Sequence, residues 1–211
     1  MTQRETLGLK QSVVKIEYEG AWSGQGVVVP GDIVLTAAHC LPIPVDEFLY
    51  SETQVKIQTP NGKEGWMHVI FADGANDLAA LTPSERSPLL LDGITPIRAS
   101  LEWSRSLELE DREDLDGTVF THNRGEVSLR YHEVRRGSAC YDAEHWILAG
   151  TSGGPIVDAS GLLIGIVSTT IEPFLDEDDD PNDGNQQGQF MLLGASIPPW
   201  LAMEISSSSL D

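Results

Sequence analysis

The amino-acid sequence predicts an all-β protein. Its 211 residues include 20 glycines and 12 prolines, which interrupt the chain at short intervals. Between these interruptions lie short runs of β-branched and aliphatic residues, a pattern typical of many short strands joined by turns. Helical periodicity is weak until the C-terminal end. Together these observations favour a β-sandwich or a β-barrel.

The individual elements follow from the apolar runs in chain order. Val13–Tyr18 partly alternates between apolar and polar residues, which indicates a half-buried strand. Pro198 and Pro199 precede Trp200, and because proline is favoured in a first helical turn, they predict a C-terminal helix. The other predicted strands are residues 26–29, 33–35, 55–57, 66–71, 117–121, 127–134, 146–148, 162–168 and 189–196.

Composition and charge narrow the functional classes. Hydrophobic residues make up 40% of the chain, enough for a core, so a wholly disordered protein is excluded. The chain carries 33 acidic and 13 basic residues, a formal net charge of −20. Phosphate backbones and anionic lipid surfaces repel such a polyanion. We therefore expect no nucleic-acid partner and no membrane partner.

The predicted location is the cytoplasm. Residues 1–6 lack the apolar core of a secretory signal, and the two cysteines do not make a disulfide scaffold. Apolar runs such as residues 27–29 and 89–91 are too short to span a bilayer. We expect a soluble intracellular protein.

The first motif that carries chemistry is Gly-Thr-Ser-Gly-Gly-Pro at residues 150–155. Glycines around Ser152 allow a substrate to approach the backbone closely and allow N–H groups to converge on an oxyanion. The motif also fits the nucleophile elbow of α/β-hydrolases, but those enzymes need a histidine after the serine. The last histidine is His145, so that interpretation fails.

Two further motifs precede the serine. Thr-Ala-Ala-His-Cys places His39 just after an apolar strand, and Asn-Asp-Leu places Asp77 at the start of another. Subtilisin order requires an aspartate before the histidine, but Asp32 precedes His39 by only seven residues and the β pattern does not suit that fold. The order His39, Asp77, Ser152 is the chymotrypsin order of a catalytic triad.

With these three motifs the chain resembles the chymotrypsin/trypsin family of serine peptidases, from about residue 12 to residue 205. The resemblance implies two packed six-stranded antiparallel β-barrels with a short C-terminal helix. It implies an N-terminal barrel over 12–100 carrying His39 and Asp77, and a C-terminal barrel over 117–205 carrying Ser152 and the helix. Residues 101–116, where charged residues dominate, suit the connector, and 206–211, with four serines, predict a flexible tail.

The resemblance also implies site residues beyond the triad. The N–H groups of Gly150 and Ser152 are expected to form the oxyanion hole. Residues 163–168 look like the strand on which the family lays the substrate backbone, and residues 188–191 look like the strand after its specificity pocket. The expected substrate-binding residues are Trp146, Ser168, Thr169, Thr170 and Gly188. No metal site and no cofactor are predicted.

Two departures from the animal enzymes are expected to affect activation and disulfide formation. Thr151 replaces the aspartate that pairs with a new N-terminus, so activation by that cleavage is not expected. Cys40 stands where secreted members have a disulfide, but no cysteine precedes residue 28. We expect Cys40 and Cys140 to be free buried thiols, with a bridge between them left open. The chain is closest in style to disulfide-free bacterial HtrA-like domains, echoed by Ser-Gly-Gln-Gly-Val-Val at residues 23–28.

An acidic loop over residues 172–183 follows the predicted pocket strand. One hypothesis is that it attracts substrates that are basic near the scissile bond, and the alternative is a solvated loop. Calcium binding is a weaker option, since Asp183 stands where an EF-hand requires glycine.

The predicted function is a serine endopeptidase that performs limited proteolysis of an intracellular protein partner. The partners expected are a protein or peptide substrate and a regulatory protein. The alternative is a catalytically silent relative that binds proteins through the same cleft.

Overall fold

The computed structural model describes residues 9–18, 20–41, 53–100, 117–121, 125–135, 138–143, 150–171 and 190–196, with Leu201, Met203 and Ile205. Within these residues, regular structure consists mainly of twelve β-strands in two antiparallel sheets. The predicted all-β class is confirmed.

The first sheet closes into a six-stranded barrel, because β1 pairs with β4 as well as with β2. Alternation explains its strands: in β4, Val55 and Ile57 are buried while the flanking glutamines and the lysine are not. Inward residues of this kind, such as Ile16, Met67 and Leu81, fill the barrel interior. The strands are β1 (Val13–Tyr18), β2 (Ala21–Val29), β3 (Ile33–Thr36), β4 (Gln54–Gln58), β5 (Glu64–Asp73) and β6 (Leu78–Pro83).

The second sheet has the strand order β7, β8, β9, β12, β11, β10, and β10 pairs back onto β7 through Ile156 and Val119. Its apolar interior includes Leu129, Tyr141 and Val167. The strands are β7 (Gly117–Thr121), β8 (Gly125–Arg135), β9 (Ser138–Ala143), β10 (Pro155–Val157), β11 (Leu163–Ile171) and β12 (Phe190–Ser196).

A third apolar cluster joins the two sheets. It combines Leu35 and Leu78 of the first sheet with Leu163 and Ile166 of the second, and all four are fully buried. Residues 97–100 lie along the same seam: Ile97 donates to Val28 at 2.9 Å, and Ser100 donates to Leu163 at 2.8 Å. Burial of this seam fixes the two sheets against each other, which is the condition for a site shared between them.

Some sequence predictions fall outside the described residues. They are the strand at 146–148, the connector at 101–116, the acidic loop at 172–183 and the tail at 206–211. Leu201, Met203 and Ile205 are helical, and Leu201 and Ile205 are buried in the seam between the sheets. The other residues of the predicted C-terminal helix are not described.

In the described part of the chain, no helix has the length and apolar character required to cross a membrane.

Candidate active site

Strand pairing brings His39 and Asp77 together. β3 pairs with β6 so that Thr36 lies opposite Ala79. His39 lies three residues after Thr36, in a 3₁₀ turn formed by Ala38–Cys40, and Asp77 lies just before β6. The Ala38 N–H donates to the Asp77 carbonyl at 3.2 Å. One strand pair and one backbone hydrogen bond therefore bring together two residues that lie 38 positions apart in the sequence.

The Asp77 carboxylate holds both the backbone and the ring of His39. Its Oδ1 accepts the His39 backbone N–H at 2.9 Å, and its Oδ2 lies 2.8 Å from His39 Nδ1. Because a carboxylate only accepts, Nδ1 carries the proton, and Nε2 of the neutral ring is the basic atom. Asp77 has φ of 53°, a left-handed conformation that aspartate adopts more readily than most residues.

A second donor reaches the same carboxylate from the other sheet. Ser168, on β11, donates its hydroxyl to Asp77 Oδ2 at 2.5 Å. This bond spans 91 residues and joins the two sheets at the site. The sequence predicts Ser168 as a substrate-binding residue; in the structure its hydroxyl is engaged by Asp77.

The contact between His39 and Asp77 shifts the pKa values of the two side chains in opposite directions. Hydrogen bonding to Asp77, and then to Cys40, raises the pKa of His39 from 6.5 to about 10. Burial by itself raises the pKa of Asp77, but the hydrogen bonds from His39 and Ser168 outweigh it and lower the pKa. Asp77 is therefore held as a carboxylate, which stabilises a protonated imidazole.

Cys40 lies against the other nitrogen of the imidazole. Its Sγ is 3.8 Å from His39 Nε2. Cys40 is a free thiol and is buried, as expected; the side chain of Cys140, on β9, is not among those described. Gly24 leaves room for the Cys40 side chain, because a Cβ at position 24 would come within 2.4 Å of the Cys40 sulfur.

Ser152 lies in a glycine-rich loop that precedes β10. Gly150 and Gly153 have φ of 91° and 81°, values that favour glycine. A Cβ on Gly153 would come within 2.0 Å of the Gln25 carbonyl oxygen, so a side chain cannot fit there. Gly153 donates to Val167 at 2.7 Å, and Gly154 donates to Thr151 at 3.0 Å. Thr151 is buried.

The serine loop is bonded directly to the first barrel. The Gln25 N–H on β2 donates to the Ser152 carbonyl at 2.8 Å, and Gln25 Nε2 donates to the Gly150 carbonyl at 3.0 Å. No hydrogen bond joins Ser152 Oγ to His39 Nε2 among the described residues. Apo structures commonly leave this bond long until substrate binds.

The predicted oxyanion donors are unused by the rest of the site. Neither the Gly150 N–H nor the Ser152 N–H takes part in a hydrogen bond within the described ranges. Both flank Thr151, whose carbonyl is bonded to Gly154. Two such N–H groups are the chemical requirement for stabilising a tetrahedral oxyanion.

The remaining predicted substrate-binding residues are only partly described. Thr169 lies exposed on β11, and Thr170 follows it in the same strand, paired with Leu192. Trp146 and Gly188 lie outside the described residues. Where the structure describes side chains, no three His, Cys, Asp or Glu groups cluster as metal ligands would.

Gln25 was not singled out from the sequence. In the sequence it is one residue of the Ser-Gly-Gln-Gly-Val-Val motif, and its role depends on Gly150, 125 residues later. Glutamine between two glycines at the middle of an apolar strand is the signal that could have marked it, because a buried amide needs partners.

Comparison with family models identifies one family, and comparison with solved structures finds similar folds. The profile of the trypsin-like peptidase domain matches residues 24–166. Among solved structures, the fold is similar to that of the Rv3671c protease in its inactive form, with 19% identity, a TM-score of 0.56, and coverage of 90% of this chain and 87% of that one.

Two further structures are similar. The serine protease of a human pathogenic astrovirus has 16% identity and a TM-score of 0.56, with 90% of this chain and 92% of that chain covered. The serine endoprotease from Yersinia pestis has 18% identity and a TM-score of 0.59, with 98% and 66% covered. These likenesses confirm the predicted chymotrypsin-like fold. No curated protein matches the chain.

Proposed function

The chain belongs to the family of trypsin-like peptidase domains and is a serine protease, and we propose that it is an endopeptidase that uses His39, Asp77 and Ser152. Its substrates are proteins or peptides, as the family implies. The reaction passes through an acyl-enzyme formed on Ser152 and released by water.

Each residue has one role in this mechanism. Ser152 Oγ attacks the scissile carbonyl while His39 Nε2 takes the hydroxyl proton, and the imidazolium then gives that proton to the leaving amine. Asp77 keeps the proton of the neutral ring on Nδ1 and stabilises the imidazolium. The N–H groups of Gly150 and Ser152 receive the oxyanion, and each such donor is typically worth about 10²–10³ in rate. Water then attacks the acyl-enzyme through the same series of proton transfers.

The observation that carries the proposal is the 2.8 Å contact between His39 Nδ1 and Asp77 Oδ2. The aspartate also receives the His39 N–H and the Ser168 hydroxyl. Three donors on one carboxylate are more than a structural cap requires, and two of them come from His39 itself, which fixes the orientation of its imidazole. The bond from Gln25 to the Ser152 carbonyl supports the same assignment, since it brings the loop to the barrel that carries His39.

We propose that residues 12–100 and 117–205 are the two halves that meet at this site. Strands β1 to β6 fall within the first range and β7 to β12 within the second. The specificity residues are proposed to be Trp146, Ser168, Thr169, Thr170 and Gly188, with Ser168 contributing through its backbone, because its hydroxyl is engaged by Asp77.

The proposed substrate is an intracellular protein cleaved at few sites. Cys40 supports a reducing compartment: it is a free thiol that is only 2% exposed.

One observation favours the alternative of a silent binding protein. His39 Nε2 faces the Cys40 sulfur at 3.8 Å, and no bond to Ser152 Oγ is present in the described residues. A site locked in this state would bind peptides without cleaving them.

The test is labelling of the full chain by a fluorophosphonate probe, which needs no knowledge of the substrate. The wild type and Ser160→Ala, a change on an exposed turn, should label equally. Ser152→Ala should abolish labelling, and His39→Ala should reduce it by several orders of magnitude, since a triad member typically contributes about 10⁴–10⁶. A wild type that resists the probe would contradict the proposal and favour the silent alternative.

A further inference from the structure

Gln25 is a buried polar residue that contacts the serine loop twice. It lies on β2 of the first barrel and is 1% exposed. Its backbone N–H donates to the Ser152 carbonyl at 2.8 Å, and its side-chain Nε2 donates to the Gly150 carbonyl at 3.0 Å. Its own carbonyl accepts the hydroxyl of Thr36 at 2.6 Å, which fixes the residue to β3.

Stability alone does not account for a glutamine at this position. Its Oε1 is buried and has no hydrogen-bond partner within the described residues. A buried acceptor without a partner destabilises a fold, and an apolar side chain of the same length would avoid that cost. Turning the amide over would bring Oε1 against the Gly150 oxygen, which is unfavourable because both atoms only accept. The donating half of the amide is the part that the site uses.

The Gly150 carbonyl needs such a restraint. Gly150 has φ of 91°, and a Cβ built on it meets nothing within 4 Å. Its backbone is therefore limited neither by a side chain nor by crowding. The next residues in the loop are held by other bonds, from Gly154 to Thr151 and from Gly153 to Val167. The Gln25 amide therefore acts at a position that neither a side chain nor those two bonds restrain.

We propose that Gln25 is a positioning residue for the oxyanion hole: its side-chain amide, supplied by the first barrel, sets the orientation of the Gly150–Thr151 peptide in the second. The inference rests on the proposed function and deepens it. With the Gly150 and Ser152 carbonyls both bonded to Gln25, the backbone between the two proposed oxyanion donors has one conformation. Without the amide, the Gly150–Thr151 peptide turns in part of the molecules, and the two proposed donor N–H groups, which lie on either side of it, lose their fixed relative position.

The first arm of the test compares Gln25→Met with Gln58→Met. Methionine matches the length of glutamine, keeps the backbone bond to Ser152 and removes the donor to Gly150. Gln58 lies on β4 of the same barrel, and its side chain bonds to Glu64 rather than to the serine loop. For hydrolysis of p-nitrophenyl acetate, Gln25→Met should lower kcat about tenfold to a hundredfold and change KM less than twofold, since oxyanion donors act in the transition state. Gln58→Met should match the wild type.

The pH dependence of Gln25→Glu provides a readout that packing would not change. A protonated glutamic acid can donate to the Gly150 carbonyl, whereas a carboxylate repels it. The activity of this variant relative to the wild type should therefore be highest at acidic pH and fall as the pH rises. A ratio that stays constant with pH, or an unchanged kcat in Gln25→Met, would overturn the inference while leaving the proposed function intact.

The second arm does not require activity. In a Ser152→Ala background, Gln25→Met should speed amide hydrogen exchange of residues 150–154 relative to Gln58→Met, with other strands unchanged. If the wild type neither reacts with the fluorophosphonate nor hydrolyses the ester, the proposed function fails, and this exchange measurement decides the role of Gln25. Equal exchange in the two variants would contradict it.

Discussion

His39 Nε2 lies 3.8 Å from Cys40 Sγ, while Nδ1 of the same ring lies 2.8 Å from Asp77 Oδ2. The imidazole is thus held from both sides, by a carboxylate and by the thiol of the next residue in the chain. Both contacts stabilise its protonated form, and they raise the pKa of His39 to about 10. The atom proposed to receive the serine proton is the atom that meets the sulfur.

The first prediction concerns the pH dependence of labelling. A general base must be neutral, so the fluorophosphonate rate of the wild type should keep rising well above pH 6.5, towards the His39 pKa of about 10. The measurement is the second-order labelling rate from pH 5 to pH 10. A plateau already reached near pH 7 would show that the free ring titrates normally.

Removing the Cys40 thiol should shift the pH profile of labelling to lower pH. In Cys40→Ala the sulfur no longer stabilises the imidazolium, so the pKa of His39 should fall and labelling at pH 7 should increase several-fold. Cys40→Ser, which keeps an acceptor of similar size beside Nε2, is the matched control and should move the profile less. Identical profiles in all three proteins would mean that the sulfur has no effect on the base.

Stability should depend on pH through the same pair. The pKa of His39 is raised, so its stabilising contribution is complete below pH 6.5 and is lost as the pH rises towards 10. The pKa of Asp77 is lowered, so its contribution is present above its ordinary value of 3.8 and is lost in acid. The difference in Tm between wild type and His39→Ala should therefore be largest between pH 3.8 and pH 6.5, where both contributions are present. A difference independent of pH would indicate packing alone.

The Ser168 hydroxyl should act on the reaction rather than on substrate binding. Ser168→Ala removes the 2.5 Å bond to Asp77 and leaves the β11 backbone intact. A hydrogen bond to a charged group is worth about 1.5–3 kcal/mol, so kcat for an activated ester should fall about tenfold or more. KM should change little. Ser160→Ala, on an exposed turn outside the proposed site, is the control. A rise in KM alone for Ser168→Ala would indicate that the hydroxyl takes part in substrate binding.

Two glycines with nearly the same positive φ allow the cost of backbone strain to be measured apart from the cost of steric overlap. Gly62 and Gly153 have φ of 83° and 81°, but a Cβ on Gly62 meets nothing within 4 Å. Gly62→Ala should cost about 1 kcal/mol in the free energy of unfolding. Gly153→Ala should cost about 3 kcal/mol or more, because its Cβ meets the Gln25 carbonyl, and it should also abolish labelling. Denaturant unfolding of both variants measures the difference, and equal losses would contradict the contact.

Local signals explain why much of this protein was predictable. His39 and Asp77 lie next to apolar strands, and the glycines around Ser152 mark a loop that a side chain would block. Each of these motifs consists of consecutive residues and can therefore be recognised without the fold. Strand alternation such as that of β4 is also local. By contrast, β9 and β10 were not predicted. β10 has three residues and β9 contains serine, cysteine and two alanines, so both depend on pairing with neighbouring strands.

By itself the sequence determined the all-β class, the order of the three motifs and the family, because these depend on periodicity and on short runs of residues. Only the tertiary structure decided which atoms meet: Ser168 with Asp77 across 91 residues, Gln25 with Gly150 across 125, and the Cys40 sulfur with its neighbour's ring. Such contacts depend on how the two sheets pack along a shared apolar seam. A displacement of about an ångström would break each bond without changing a single residue.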